Sequence, residues 1–135
     1  MLEGAVQLPD GAWVRGRGLR NPMPAGPEPE FGLYLAKGPA PAWPHERIDW
    51  PDFWVPRDDA DAIAKIRDLH ARAVAGQRVE VACAGGKGRT GTVFACLAIV
   101  AGVAPENAVA WAREHYDRHA VETPWQKRWV LRKFR

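Results

Sequence analysis

The chain of 135 residues is long enough for one domain that buries roughly two-thirds of its unfolded surface, and it leaves no room for a second. Its 47% hydrophobic and 26% charged residues are typical of a globular protein, which excludes a disordered or fibrous chain. The net charge of +3 is too small for a broad field that binds nucleic acid. We therefore expect a single domain over residues 1–135 without a nucleic-acid partner.

The first half of the chain has the pattern of short strands joined by turns and loops. A Pro-Asp-Gly turn at residues 9–11 predicts a hairpin between strands at 5–8 and 12–17. The segments that follow are predicted as a proline-rich loop at 21–30, a buried strand at 31–36, a second loop at 37–44 and a strand edge at 45–49.

Helices dominate the rest of the chain. One is predicted over 58–75, between acidic capping residues and a glycine. After one strand, the segment 88–100 is apolar on all sides beyond Thr92, which indicates a helix buried at the centre of the domain. Two more helices are predicted, over 104–118 and onwards from a cap at Thr123.

The cysteine count and the apolar runs bear on the compartment. Two cysteines, Cys83 and Cys96, are too few for a disulfide scaffold, which favours a reducing compartment. The N-terminus lacks the basic start and apolar core of a signal peptide, and the longest apolar run, 93–101, is shorter than the about 20 residues that span a bilayer. We expect a cytoplasmic protein without a membrane span, and a monomer.

One local excess of basic residues occurs late in the chain. Basic residues are favoured near the C-terminus of a helix, and this interpretation is preferred over a tail that binds acidic or phosphorylated substrates. The cluster consists of Lys127, Arg128, Arg132, Lys133 and Arg135.

The most informative stretch runs from Val79 to Thr92. A β-branched run ends at Cys83, four of the next eight residues are glycines, and the apolar helix follows. This order of strand, loop and helix can curl backbone N–H groups around an anion at a helix N-terminus, where unpaired donors and the helix dipole favour negative charge. The sequence therefore predicts a phosphate-binding loop.

The predicted loop begins with a thiol and ends with a guanidinium. Cys83 and Arg89 are separated by five residues. A thiol surrounded by N–H donors loses its proton readily and becomes a nucleophile, and the planar fork of an arginine matches two phosphate oxygens. The pair therefore predicts nucleophilic attack on a bound phosphate ester.

The spacing of Cys83 and Arg89, followed by Thr90, resembles the signature loop of the cysteine-dependent protein tyrosine phosphatases. The loop interior looks like those of dual-specificity and phosphoinositide phosphatases. The resemblance implies an α/β fold with a central mixed, mostly parallel twisted sheet flanked by helices. It also implies that Cys83 attacks phosphorus while Arg89 and the loop N–H groups hold the phosphate oxygens, with no cofactor and no metal. The residues implied in substrate binding are Ala84, Gly85, Gly86, Lys87, Gly88, Thr90 and Gln126.

Three other interpretations of the loop account for less of the sequence. Its glycines match the dinucleotide fingerprint G-x-G-x-x-G, but the chain after them is predicted helical and lacks the second strand that this fingerprint needs. A Walker A loop has Ser or Thr after the lysine, whereas Gly88 follows Lys87. A buried structural cysteine explains neither Arg89 nor the glycines.

A phosphatase of this kind also needs an acid that protonates the leaving oxygen, and Asp52 is the candidate. The Trp-Pro-Asp segment at 50–52 resembles the mobile general-acid loop of tyrosine phosphatases. As in that family, one helix and one strand separate it from the cysteine loop. Trp54 departs from the pattern of the tyrosine phosphatases, in which a glycine is common at this position. Asp49 and Asp58 are the fallback acids.

Three further positions bear on the resemblance. Gln126 matches a glutamine that orients the hydrolytic water in the family, and its other interpretation is a surface glutamine in the first turn of a helix. Glu122 stands where classical members often carry a first glutamine. Ala82 replaces the histidine that usually precedes the cysteine and orders the loop, so we expect a slower or differently tuned enzyme.

The sequence leaves three functions open. The expected one is a phosphatase for phosphotyrosine in proteins, extending to phosphoserine and phosphothreonine. The second is an inositol phosphate or phosphoinositide phosphatase, suggested by Lys87, although Ala84 stands where those loops carry another lysine. The third is a phosphate-binding module without turnover, suggested by Ala82. The partners would be phosphorylated proteins or small phosphate esters.

Overall fold

A computed structural model describes residues 1–134. Arg135, the last member of the basic cluster, lies outside the described residues. The strands are β1 (Val6–Gln7), β2 (Trp13–Gly18), β3 (Phe31–Tyr34), β4 (His45–Arg47) and β5 (Val79–Cys83). The helices are α1 (Asp59–Val74), α2 (Gly88–Val100), α3 (Ala108–His115) and α4 (Pro124–Lys133), with a 3-10 turn at Pro105–Asn107 before α3.

Within residues 1–134 the five strands form one sheet in the order β1-β2-β5-β3-β4. β5 runs parallel to β2 and β3, and β4 runs parallel to β3, while β1 pairs antiparallel with β2 through the predicted hairpin. The predicted mixed, mostly parallel sheet flanked by helices is therefore confirmed. Because the carboxyl ends of parallel strands meet at one edge of a sheet, the segments that follow β2, β3 and β5 lie close together there.

The apolar face of the sheet carries the core. Val79, Val81 and Cys83 of β5 alternate onto this face, and Leu33 of β3 lies opposite Val81. All four side chains are at most 3% exposed. The predicted central helix α2 packs into the same core, and all its residues from Gly88 to Ala98 are buried. The strand that leads into the loop and the helix that follows it are thus held rigidly.

The opposite face of the sheet is polar. Glu80 is fully buried there. Its carboxylate accepts hydrogen bonds of 2.7–3.0 Å from Arg15, Arg17 and the hydroxyl of Tyr34. Burial by itself would raise the pKa of Glu80, but the hydrogen bonds from these three groups outweigh it and hold the pKa below its ordinary value. The carboxylate therefore joins β2, β3 and β5 through charge-assisted bonds.

The predicted helix over 104–118 is shorter than expected. It consists of the 3-10 turn and α3, which ends at His115. The chain leaves the helix there, and the ring of Tyr116 stacks on Phe94 of α2 with centroids 4.3 Å apart. In residues 1–134 no helix combines the length and apolar character needed to cross a membrane.

Candidate active site

The thiol of Cys83 lies at the floor of the predicted phosphate-binding loop, which joins β5 to α2. Cys83 is the last residue of β5 and is 3% exposed. Gly86 turns the loop back with a φ of +74°, and its N–H donates to the sulfur of Cys83 at 3.3 Å. Only glycine fits this turn, because a Cβ on Gly86 would lie 2.4 Å from the backbone nitrogen of Gly18. The sulfur therefore faces the N–H of Gly86 on the inside of the loop.

The residue before α2 does not cap the helix, although the carboxylate of Glu122 lies close to Gly88, where a Cβ would come 1.7 Å from its Oε1. Lys87 precedes the helix and its side chain makes no capping hydrogen bond. The first turn also contains no acidic residue. Because a helix leaves its first N–H groups without intrahelical acceptors, an anion at this end of α2 would satisfy them and interact favourably with the helix dipole.

The guanidinium of Arg89 is buried and fixed along one edge. Nη1 donates to the carbonyl oxygens of Leu35, at 3.0 Å, and Trp50, at 2.8 Å. These acceptors follow β3 and precede the predicted acid, so Arg89 connects three segments at the carboxyl edge of the sheet. Nε is buried and has no hydrogen-bond partner within residues 1–134. One edge of the fork is anchored, while its Nε makes no hydrogen bond and faces a carboxylate.

The carboxylate of Asp52 lies over this guanidinium. Its Oδ1 is 3.4 Å from Nε of Arg89 and accepts a hydrogen bond of 3.0 Å from the N–H of Phe53. The side chain of Asp52 is 49% exposed, whereas that of Arg89 is 7% exposed. The structure thus brings the predicted acid and the predicted phosphate-binding arginine together, with the acid on the solvent side.

The two fallback acids make other contacts. Asp58 caps α1, and its carboxylate accepts from the N–H of Asp61 at 3.0 Å. Asp49 forms an exposed ion pair with Arg57 at 3.2 Å. Of the three candidates, Asp52 is the one in contact with Arg89 within the described residues.

The segment 50–56, called the acid loop below, is tied to the start of α4. The indole N–H of Trp125 donates to the carbonyl of Phe53 at 2.6 Å. The ring centroids of Trp125 and Trp54 lie 5.5 Å apart. The indole N–H of Trp50 donates to the carbonyl of Trp54 at 2.7 Å. Trp54, the departure from the family pattern, therefore forms part of the attachment that holds the acid loop over the cysteine loop.

Gln126 completes this attachment. It lies in the first turn of α4 but is fully buried rather than at the surface. Its Oε1 accepts from the N–H groups of Glu122 and Thr123, at 3.0 and 3.1 Å, and its Nε2 donates to the carbonyl of Trp54 at 2.9 Å. In this arrangement the amide serves the helix cap and the acid loop. Contact with a hydrolytic water stays a prediction.

The remaining residues predicted to bind substrate line the loop in two ways. Gly85 and Lys87 are exposed and Ala84 is half-buried, so they form its outer rim. Gly88 and Thr90 are buried. The hydroxyl of Thr90 has no hydrogen-bond partner among residues 1–134, which is unusual for a buried oxygen.

Tyr116 is a residue of the site that sequence reasoning missed. Its hydroxyl donates to the carbonyl of Gly86, the residue whose N–H bonds to Cys83. Burial, followed by the negative charges of Cys83 and Asp117, raises the pKa of Tyr116, so the phenol stays protonated. Gly16 leaves room for the ring, since a Cβ there would lie 2.2 Å from it. The sequence carries no local signal that links Tyr116 to the loop, since 30 positions separate it from Gly86.

A cavity of about 800 Å³ borders the site on the side of Arg89 and Trp50, and Asp49 and Asp61 also line it. This volume lies within the usual range of small-molecule sites. In the described part of the chain, no three His, Cys, Asp or Glu side chains are grouped closely enough to hold a metal ion.

A family model described as "Swiss Army Knife protein, DSP-PTPase phosphatase domain" matches residues 47–133, which include the acid loop and the cysteine loop. Two uncharacterized proteins of Methanocaldococcus jannaschii, MJECL20 and MJ0215, are 41% and 37% identical over 81 residues. These matches cover 59% of this chain, and 52% and 48% of the two relatives. The chain therefore spans about half the length of the curated relatives that it matches.

Solved structures share the fold. Tk-PTP in its active form has a TM-score of 0.74 at 21% identity, covering 99% of this chain and 97% of that one. A kinase associated phosphatase, with its catalytic-site cysteine replaced by serine, has a TM-score of 0.63 at 17% identity, covering 75% and 66%. At these identities the likeness concerns the arrangement of strands and helices.

Proposed function

The chain belongs to the DSP-PTPase phosphatase domain family of Swiss Army Knife proteins, and on that premise we propose that it hydrolyses phosphate monoesters through a cysteinyl-phosphate intermediate. The proposed substrate class is phosphotyrosine in proteins, extending to phosphoserine and phosphothreonine. We further propose that residues 1–135 form one phosphatase domain. A catalytic thiolate needs a reducing compartment, so the proposed location is the cytoplasm.

In the first step the thiolate of Cys83 attacks phosphorus, and the bond between phosphorus and the ester oxygen breaks. The loop N–H groups and the guanidinium of Arg89 hold the other oxygens. The departing oxygen takes a proton from Asp52, so the alcohol or phenol leaves as a neutral molecule. The phosphoryl group stays on sulfur.

In the second step a water molecule attacks the cysteinyl phosphate and gives a proton to Asp52. The bond between sulfur and phosphorus breaks, and inorganic phosphate and the thiolate are released. The buried hydroxyl of Thr90 would donate to the departing sulfur. Gln126 contributes by holding the acid loop at Trp54, and its contact with the water is part of the proposal.

The observation that carries the proposal is the environment of Arg89. Its Nη1 is bound to two carbonyl oxygens, while its buried Nε is 3.4 Å from a carboxylate oxygen of Asp52. A carboxylate beside Nε indicates that an anion is accommodated there. The same contact supports the role of Asp52, because an acid next to the bound phosphate is within reach of the leaving oxygen.

Hydrolysis of p-nitrophenyl phosphate tests the proposal. Cys83→Ser should abolish turnover and keep phosphate binding, since the loop N–H groups and Arg89 remain. Cys96→Ala is the matched control, because Cys96 is fully buried in α2 and burial raises the pKa of its thiol. It should retain turnover. A wild-type protein that binds inorganic phosphate but does not hydrolyse p-nitrophenyl phosphate would contradict the proposed enzymatic function. It would support a phosphate-binding module instead.

A second candidate function is the hydrolysis of inositol phosphates. It is favoured by the exposed Lys87 at the rim of the loop, which adds a positive charge next to the bound phosphate. Relative kcat/KM values for a phosphotyrosine peptide and an inositol phosphate decide between the two.

A further inference from the structure

A second cavity, of about 550 Å³, lies beside the cysteine loop and is called the basic pocket below. Four cationic residues line it, and none of its lining residues is acidic. Trp43, Met23 and Ala84 provide part of its apolar wall. The cations are Arg17, Arg20, Lys37 and Arg47.

Two hydrogen bonds, one between backbone groups and one from a side chain, connect the segments that line this pocket to the cysteine loop and to Arg89. The N–H of Arg20 donates to the carbonyl of Ala84 at 3.1 Å, next to the thiol-bearing residue. On the other side, Leu35 accepts from Nη1 of Arg89 at 3.0 Å, and Lys37 follows two residues later. Arg20 and Lys37 therefore belong to segments on either side of the cysteine loop, and both line the pocket together with Ala84.

Of the four cations of the pocket, Arg17 is paired with a carboxylate within the described residues, and the other three are not. The carboxylate of Glu80 is shared by Arg15 and Arg17, at 2.7 and 2.9 Å. Arg20 and Lys37 are exposed and form no ion pair within residues 1–134. Net positive charge is left facing the cavity.

Arg47 adds to this excess while it shapes the wall. Its guanidinium donates to the carbonyl oxygens of Ala36, at 3.1 Å, and Gly38, at 3.0 Å. These bonds hold the loop that carries Lys37, and they involve neutral acceptors. The positive charge of Arg47 is therefore not paired with a carboxylate in the described residues.

Resting on the phosphatase function proposed above, we propose that the basic pocket binds a second phosphate group of the same substrate molecule. This inference favours the second candidate function over the phosphoprotein substrate. The substrate is then a small molecule that carries two phosphate esters on one compact carbon skeleton. The volume of the pocket is that of a small-molecule site, and its mixture of cations with an apolar wall suits an anion attached to carbon. One guanidinium group can donate two parallel hydrogen bonds to two oxygens of the same phosphate. This geometry favours phosphate as the second anion.

Binding measurements on the Cys83→Ser protein test the proposal without turnover. The probes are a myo-inositol monophosphate and a myo-inositol bisphosphate with phosphates on adjacent carbons. We expect the bisphosphate to bind about tenfold more tightly, or better, because additional charge-assisted hydrogen bonds form. Replacing both flanking cations, as Arg20→Gln with Lys37→Gln, should bring the ratio of the two dissociation constants close to one.

The matched control replaces one exposed arginine and one exposed lysine elsewhere, as Arg118→Gln with Lys127→Gln. It removes the same charge, so the preference for the bisphosphate should persist. Equal affinity of the unaltered pocket for both probes overturns the proposal. If the control variant also loses the preference for the bisphosphate, the proposal is wrong. The preference would then come from the overall positive charge of the protein surface. A preference for a doubly phosphorylated peptide, without one for the bisphosphate, overturns the small-molecule substrate.

Two further arms separate the remaining questions. Phosphatidylcholine vesicles that contain a phosphatidylinositol bisphosphate, offered in place of the soluble probe, should be bound if the second phosphate comes from a lipid headgroup. Binding of the soluble compound alone identifies a free metabolite as the source. Turnover of p-nitrophenyl phosphate by the wild type reports separately on the proposed phosphatase function. If the wild type hydrolyses p-nitrophenyl phosphate but the Cys83→Ser protein shows no preference for the bisphosphate, the proposed role of the basic pocket is wrong. The proposed phosphatase function then still stands.

Discussion

The hydroxyl of Tyr116 donates a hydrogen bond to the carbonyl of Gly86, and the N–H of Gly86 in turn donates to the sulfur of Cys83. A side chain that follows α3 thus orients a peptide group of the cysteine loop. Ala82 supplies no side chain for this purpose, because its strand register places it beside Arg17 and Tyr34 on the polar face of the sheet. The phenol orders the loop from the opposite side.

Tyr116→Phe should lower kcat/KM for p-nitrophenyl phosphate roughly fivefold to tenfold, because loss of one hydrogen bond of about 1 kcal/mol leaves the Gly86 peptide less well oriented. The ring stays stacked on Phe94, so the unfolding free energy should fall by no more than the contribution of the lost hydrogen bond, about 1 kcal/mol. Steady-state kinetics and urea unfolding check both statements. Unchanged kinetics would show that the phenol does not order the loop.

Gly86→Ala should remove activity and destabilise the protein by more than about 1 kcal/mol, because an alanine is strained at a φ of +74° and its Cβ would meet the backbone of Gly18. Gly85→Ala is the control for stability, since a Cβ there meets no atom within 4 Å. Urea unfolding of both variants measures the difference. A similar loss in both variants would contradict the steric cause.

Asp52→Asn should slow hydrolysis of phenyl phosphate more than that of p-nitrophenyl phosphate, because the poorer leaving group depends more on protonation. General acid catalysis typically contributes about two to four orders of magnitude, which sets the scale for phenyl phosphate. Asp49→Asn, at an exposed carboxylate paired with Arg57, is the control and should leave the ratio of the two rates unchanged. Equal slowing of both substrates by Asp52→Asn would count against the acid role.

Trp125→Phe should lower kcat for the poorer leaving group by roughly fivefold, because the acid loop loses the hydrogen bond from the indole to Phe53, worth about 1 kcal/mol. An aromatic ring remains beside Trp54. Inorganic phosphate should inhibit as strongly as it inhibits the wild type, since Arg89 is not altered. Weaker phosphate inhibition with unchanged kcat would assign Trp125 to binding rather than to the position of the acid.

Glu80→Gln should destabilise the protein by about 3–5 kcal/mol at neutral pH, because two guanidinium groups lose their shared carboxylate. The pKa of Glu80 is held below the ordinary 4.5, so its charge stabilises the fold above that value. This contribution is lost as the pH falls through the lowered pKa. Urea unfolding between about pH 7 and pH 2 should therefore show a weaker acid dependence in the variant. Parallel curves for both proteins would contradict this account.

Much of the fold and of the candidate site was predictable because its signals are local. The hairpin turn, the apolar helix α2 and the capped starts of α1 and α4 each depend on residues a few positions apart. The thiol, the glycines and Arg89 lie within one loop, and Asp52 belongs to a short segment of recognisable composition. The chemical roles of these residues can therefore be predicted from the amino-acid sequence.

The tertiary structure decided which distant groups support that loop. Tyr116 meets Gly86 across 30 positions, and Trp125 meets Phe53 across 72. Arg20 and Lys37 flank one cavity because β2 and β3 lie on either side of β5. Periodicity and turn chemistry specify local backbone conformation, whereas these contacts arise only when the parallel strands align their carboxyl ends at one edge of the sheet.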